Sequence, residues 1–201
     1  MSDDLQRTEE WFRDRLGRVT ASNFSKLITA TGKPSTSADG YINELIAQRL
    51  TQQIPESYTN AHIERGIELE PKALSWFEFE TDLEVIESGF IKHPDLEAGC
   101  SPDGLIGEDG GLEIKCPAPN THVGYLRDGK LPSKYVQQVQ GSMWVTGRSH
   151  WWFLSYHPEM PQLLVKVERD NDYIELLAEQ VEKACNKIES EVNKIKETYN
   201  V

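Results

Sequence analysis

Asp103, Glu113 and Lys115 have the types and the spacing to do chemistry. They lie in the run CSPDGLIGEDGGLEIKCP, Cys100 to Pro117, where Asp103 follows a proline, Glu113 comes ten residues later and Lys115 two after that. Side chains alternate faces along a strand, so a strand through Leu112–Cys116 turns Glu113 and Lys115 one way and Leu112, Ile114 and Cys116 the other. The apolar side can pack. The carboxylate and the amine opposite must then be paired, metal-bound or open to a cleft, because a buried charge without a partner is costly. Such a set suits phosphodiester hydrolysis, which needs a nucleophilic water, charge relief on the phosphoryl oxygens and a stabilised leaving oxygen. One or two Mg²⁺ ions held by carboxylates serve all three needs, and Mg²⁺ takes oxygen ligands. Asp103 and Glu113 are the candidate ligands, with the backbone carbonyl of Ile114 as a further one. Lys115 would orient or help deprotonate the attacking water and offset charge near the phosphate. The ordinary alternative is a strand with a surface Glu–Lys pair beside a routine Pro-Asp-Gly turn.

A third carboxylate joins the set from a helix. On a helical wheel of the Ile63–Phe77 segment, Ile63, Ile67, Leu74 and Phe77 form an apolar stripe that takes in Glu70 and leaves Glu64 and Glu68 outside. An acid on a core-facing stripe needs a partner, and a metal is one candidate; a cap or a salt bridge is the other. Pro71 complicates the segment, since a proline inside a helix costs about 3 kcal/mol. Either the helix kinks there, or a new helix starts with Pro71 in its first turn.

The elements that must position these residues follow from periodicity. Helices are expected over Thr8–Arg15, Ser22–Thr29 and Asp39–Leu50, with Ser22 and Asp39 as N-caps, and from Asn60 to Phe79. The middle of the chain switches to a period of two, giving strands over Leu83–Ile91, Glu97–Ser101, Leu105–Gly107 and Leu112–Cys116, with Asp109-Gly110-Gly111 as a hairpin signal. A helix over Ser133–Val145, strands over His150–Tyr156 and Gln162–Val167, and a long amphipathic helix over Asn171–Tyr199 complete the pattern. Thr31–Ala38 and Thr51–Asn60 read as loops. The expected fold is α/β (α+β), a mixed sheet flanked by helices, with residues 1–201 as a single domain. Trp144, Trp151, Trp152, Phe153 and Tyr156 sit in apolar helix and strand patterns and read as core rather than a base-stacking surface. His122, His150 and His157 lack zinc-ligand spacing and receive no role.

Composition narrows the class. The 201 residues are 38% hydrophobic and 27% charged, ordinary for a globular protein. The net charge of −12 counts against a protein that coats DNA by neutralising phosphates. It is compatible with a nuclease whose metals and local basic lining supply positive charge at the site, and also with an acidic mimic of DNA. No apolar run is long enough to span a membrane. The acidic, polar start lacks the pattern of a secretory signal, and Cys100, Cys116 and Cys185 read as reduced thiols, so the expected compartment is the cytosol.

Four further runs carry a resemblance. TAS (Thr20 to Ser22), CSPDGL (Cys100 to Leu105), LEIKCP (Leu112 to Pro117) and QVQGSMWVT (Gln138 to Thr146) resemble, in one order from Trp11 to Asp170, the bacteriophage lambda exonuclease family of the PD…ExK nuclease superfamily. The resemblance implies a restriction-endonuclease-like core and a Mg²⁺-dependent enzyme, with Mn²⁺ as the alternative ion and two ions per site. It implies digestion of one strand of linear double-stranded DNA from the 5′ end, leaving a 3′ single-stranded tail for recombination by strand annealing. It makes Asp103, Glu113 and Glu70 metal ligands and Lys115 the catalytic lysine, has Gln138 complete the site, and places Arg15, Ser22 and Ser101 around the 5′ phosphate. It further implies a homotrimeric ring and a single-strand annealing protein as partner, with no membrane. Pro71 departs from the family pattern. Taken alone, Ser22 reads as a plain N-cap, Arg15 as a surface residue and Gln138 as an exposed helix position. The rival readings are an endonuclease on the same scaffold, of restriction or junction-cutting type, and a non-catalytic acidic binding module.

Overall fold

The computed structural model describes residues 5–53 and 61–200, with the backbone alone for 61–63. In chain order the elements are helix α1 (Glu9–Arg15), strand β1 (Val19–Thr20), a 3₁₀ helix (Ala21–Lys26), α2 (Ala38–Thr51), α3 (Ala61–Thr81), β2 (Ile91–Lys92), β3 (Ala98–Cys100), β4 (Gly104–Ile106), β5 (Gly110–Lys115), α4 (Pro119–Asp128), a 3₁₀ turn (Ser133–Tyr135), α5 (Val136–Thr146), β6 (His150–Ser155), β7 (Leu163–Glu168) and α6 (Asn171–Tyr199).

The strands divide into two sheets. Strands β4-β5-β6-β7 form a mixed sheet, with β5 and β6 parallel and the outer pairs antiparallel; β1-β3-β2 form a smaller one. The period-two reading of β5 decides the layering. Leu112 and Ile114 join Leu154 against Ala73 and Phe77 of α3 on one face. On the other, Trp151 and Phe153 of β6 meet Val139 and Met143 of α5. Glu113, in register with Phe153, therefore points toward α5. Helix α6 lays Ile174, Leu177, Val181, Ala184, Ile188 and Val192 against α2 and the smaller sheet. The expected mixed α/β architecture is thus present, and Trp151 and Phe153 are fully buried core.

Several local expectations are corrected. The Ser22–Thr29 helix is a short 3₁₀ helix over Ala21–Lys26, preceded by Thr20, so Ser22 lies inside it and is not its N-cap. Helix α2 is preceded by Ser37, and Asp39, inside its first turn, pairs with Lys187 at 2.7 Å. The Leu83–Ile91 strand reduces to one bridge, Ile86 with Leu105, and the start of β2 at Ile91. Its neighbour β4 is three residues long and offers no further ladder partners. The β4–β5 hairpin turns over Gly107–Asp109, while Gly110 and Gly111 belong to the strand. A Cβ on Gly111 would stand 2.3 Å from the Trp151 ring, so the glycine serves close packing and not the turn. Helix α4 has no counterpart in the sequence reading because only His122 and Tyr125 of its ten residues are buried, too thin an apolar stripe to read.

Helix α3 runs without interruption through Pro71. Its core stripe is Leu69, Ala73 and Phe77, one position round from the expected one; Ile67 is 39% exposed and Glu70 lies at the stripe's edge. The expected start at Asn60 and the side chain of Ile63 lie outside the described residues.

Candidate active site

Two adjacent strand ends build the site. Asp103 follows Pro102 in the bend between β3 and β4. Its amide donates to the Leu112 carbonyl at 3.1 Å, and its Oδ2 accepts the Ile114 N–H at 2.6 Å. The carboxylate is thereby tied to β5 from both ends, opposite the residue between Glu113 and Lys115. Burial raises its pKa, opposed by Lys115 and by the Ile114 amide.

Glu113 is 1% exposed. Its Oε1 accepts from Gln138 Nε2 at 2.6 Å and meets Lys115 Nζ at 2.5 Å. Its Oε2 is buried and has no hydrogen-bond partner among the described residues. Burial pushes this carboxyl up to about 7, against the pull of Lys115, and Asp103 adds to the rise. Burial disfavours the Lys115 ammonium as well, yet Glu113 and Asp103 outweigh it and raise its pKa. Lys115 accordingly stands as a hydrogen-bond donor. Gln138 sits in the first turn of α5, which crosses the sheet face that Glu113 points to.

Glu70, Asp103, Ile114 and Lys115 line one open cleft of about 810 Å³, bounded on its far side by Lys134 and Tyr135. Glu70 Oε2 is held by Arg7, whose Nη2 lies 3.2 Å away. Gln6 anchors the Arg7 segment by donating to the Pro102 carbonyl at 2.7 Å and the Ser88 carbonyl at 3.1 Å. Among the described residues, no three His, Cys, Asp or Glu side chains form a closed ion cage. The donor set nevertheless fits a hard divalent ion: its ligands would all be oxygens, and the orphaned Oε2 of Glu113 is a buried acceptor without a donor.

Arg15, Ser22 and Ser101 come together next to this cleft. Arg15 donates to Ser101 Oγ at 2.9 Å and to Ser22 Oγ at 3.4 Å. Trp11 Nε1 donates to the same Ser101 hydroxyl at 3.0 Å, and the Arg15 guanidinium lies 4.2 Å from the Trp11 ring centroid and 5.6 Å from that of Phe90. No carboxylate among the described residues forms a salt bridge with Arg15, and burial lowers its pKa. A cation, two hydroxyls and no counter-anion make a receptive pocket for an anion. The structure thus brings together all nine candidate positions, with Glu70 turned onto Arg7.

Sequence reasoning missed Gln6, Arg7, Trp11, Phe90, Lys134 and Tyr135. Trp11 had a signal, standing one helical turn before Arg15 on α1. Gln6 had none, since its contact with Pro102 spans 96 residues. His122 fills a structural role: its Nε2 meets the Pro161 carbonyl and its Nδ1 the Ser155 hydroxyl, both at 2.8 Å.

Residues 10–149 match the model of the YqaJ-like viral recombinase domain. The chain belongs to this family. Within it, the structure is similar to the crystal structure of an alkaline exonuclease, LHK-Exo, from Laribacter hongkongensis, with 38% identity, coverage of 95% of this chain and 97% of that one, and a TM-score of 0.87. The same enzyme in complex with dAMP matches with a TM-score of 0.86. A phage-related exonuclease from Haemophilus somnus 129PT shares the fold at 17% identity, with coverage of 89% and 96% and a TM-score of 0.69. An uncharacterized protein of Escherichia coli (strain K12), ExoD, is 34% identical over 68 residues, 32% of this chain and 78% of that protein. The resemblance to the lambda exonuclease family is borne out, and with it the mixed α/β nuclease fold.

Proposed function

We propose that this chain is a divalent-metal-dependent exonuclease that degrades one strand of linear double-stranded DNA from its 5′ end, leaving a 3′ single-stranded tail for strand annealing. The family relationship makes it a nuclease acting on DNA. The observation that carries it is Glu113, a buried acid clamped between Gln138 and Lys115 with one oxygen free of any donor. A carboxylate is held in that state at the expense of stability, which suits an ion-binding group better than a structural one.

Asp103, Glu113 and the Ile114 carbonyl would hold Mg²⁺ or Mn²⁺, one ion or two, with Glu70 as a further ligand. The ion would polarise the phosphoryl oxygen and acidify water. Lys115, kept as an ammonium by its two carboxylate neighbours, orients the attacking water and donates to the phosphate. Gln138 fixes the direction of the Glu113 carboxylate. Arg15, Ser22 and Ser101 receive the 5′ phosphate, which sets where the strand is cut and rewards a phosphorylated end. A homotrimeric ring, a single-strand annealing partner and a place in the bacterial cytoplasm come to the proposal from the family resemblance.

The test is Lys115→Ala. Cleavage of a linear duplex is expected to fall at least about a hundredfold while binding to the same duplex survives, in line with loss of one preorganised electrostatic group. Cleavage at the normal rate would remove Lys115 from the reaction.

A further inference from the structure

Tyr135 lies beside the proposed reaction centre and has no role in it so far. It stands at the start of α5, three residues before Gln138, so the two side chains share one face of the helix start. Gln138 reaches the carboxylate of Glu113. Tyr135 presents its ring to the other half of the same ion pair: Lys115 Nζ lies 5.4 Å from the ring centroid. That is within the range at which an ammonium is drawn to an aromatic face. The ring is itself held in place against Phe153, tilted by 34° at 5.2 Å between centroids; Phe153 is fully buried and in register with Glu113. Tyr135 also lines the cleft that holds Glu70 and Asp103.

We propose that Tyr135 is a positioning residue for Lys115. One turn of α5 grips both ends of the Glu113–Lys115 pair, the amide of Gln138 on the carboxylate and the ring of Tyr135 on the ammonium. An ion taken up by Glu113 competes with Lys115 for the Glu113 oxygens. The Tyr135 ring is then the contact that keeps the ammonium aimed into the cleft instead of out into solvent. Lys134 Nζ lies over the same ring at 4.9 Å, so the ring sits between two ammonium groups, and the contact with Lys115 is one that an aromatic residue without the hydroxyl would keep.

The inference rests on the nuclease reading, and the experiment separates the two. Wild type, Tyr135→Phe and Tyr135→Leu are compared in steady-state digestion of a linear duplex with 5′ phosphates in Mg²⁺. The expected result is a kcat lower by roughly threefold to thirtyfold in Tyr135→Leu with KM within about twofold, and most of the rate retained in Tyr135→Phe. In the metal-free proteins, the Lys115 ammonium resonance, assigned by its disappearance in Lys115→Ala, should be shifted by the ring current in wild type and in Tyr135→Phe, and lose that shift in Tyr135→Leu. Should Tyr135→Leu unfold, Tyr135→Met keeps the bulk without the ring and takes its place. An equal loss of kcat in Tyr135→Phe, an unchanged kcat in Tyr135→Leu, a rise in KM alone, or an ammonium resonance indifferent to the ring overturns the inference. A wild type that cuts nothing overturns the nuclease reading, and the assigned role with it.

Discussion

At the residue scale, Glu113 is a buried carboxyl whose proposed role as a metal ligand would offset the cost of its burial. Burial holds its proton to a higher pH than a free carboxylate, about 7, and an ion must displace that proton to bind. As the pH falls through that range the proton competes with an ion for the carboxylate, and as it rises the competition falls away. The rise in Tm given by saturating Mg²⁺ is therefore expected to be larger at about pH 8 than at about pH 6, and to shrink in Glu113→Gln. An equal gain at both pH values would contradict Glu113 as a ligand. Arg15 makes a second case. Its two serine partners are neutral, so a terminal phosphate would be its only full counter-charge there. Arg15→Ala should reduce the preference for 5′-phosphorylated over 5′-hydroxyl ends by roughly tenfold to a hundredfold, the worth of hydrogen bonds to a charged group; an unchanged ratio of the two rates would take Arg15 out of that pocket. Glu113 and Lys115 were legible because strand alternation fixes their mutual direction from spacing alone, and Asp103 because a Pro-Asp pair precedes them at a fixed distance. Arg7 on Glu70 and Gln6 on Pro102 were not, because those contacts join the N-terminal segment to positions more than sixty residues away, and no local period encodes them.

Elements were legible in proportion to the strength of their pattern. Helix α6 appears over Asn171–Tyr199, as its unbroken run of three- and four-residue apolar steps requires. Helix α4 escaped notice because its neighbours leave most of it in solvent. The Leu83–Ile91 segment alternated as a strand does, but a ladder needs a partner, and β4 ends too soon to supply one. Pro71 is the sharpest case. Local propensity calls for a kink or a fresh start at that position; α3 makes no fresh start there, and the burial of Leu69 before it and of Ala73 and Phe77 after it carries the helix on without a break. Tertiary burial on both sides outweighs the lost backbone hydrogen bond. Since Pro71 is exposed, Pro71→Ala should raise stability toward denaturant by about 1–3 kcal/mol. A fall in stability would mean that the proline, beside Glu70, sets a backbone geometry the site depends on.

At the scale of the whole molecule, a chain of net charge −12 must receive a polyanion. Among the described residues, Arg7, Lys115 and Lys134 line the cleft beside Glu70 and Asp103, and Arg15 stands beside Ser101, two residues before Asp103. Arg7 is paired with Glu70 and Lys115 with Glu113, so on the proposed reading a bound divalent ion would supply the positive charge that draws a strand end. The total charge was legible in the sequence, but its placement was not, because the cleft cations come from segments far apart along the chain. The decisive measurement is digestion, in one tube with Mg²⁺, of a linear duplex bearing 5′ phosphates and a covalently closed circle of different length. Loss of the linear DNA alone, with 5′ mononucleotides released and the 3′-ended strand left behind, is the expected result. Cutting of the circle would contradict an exonuclease and point to an endonuclease on the same scaffold, and cutting of neither by the folded protein would contradict catalysis altogether.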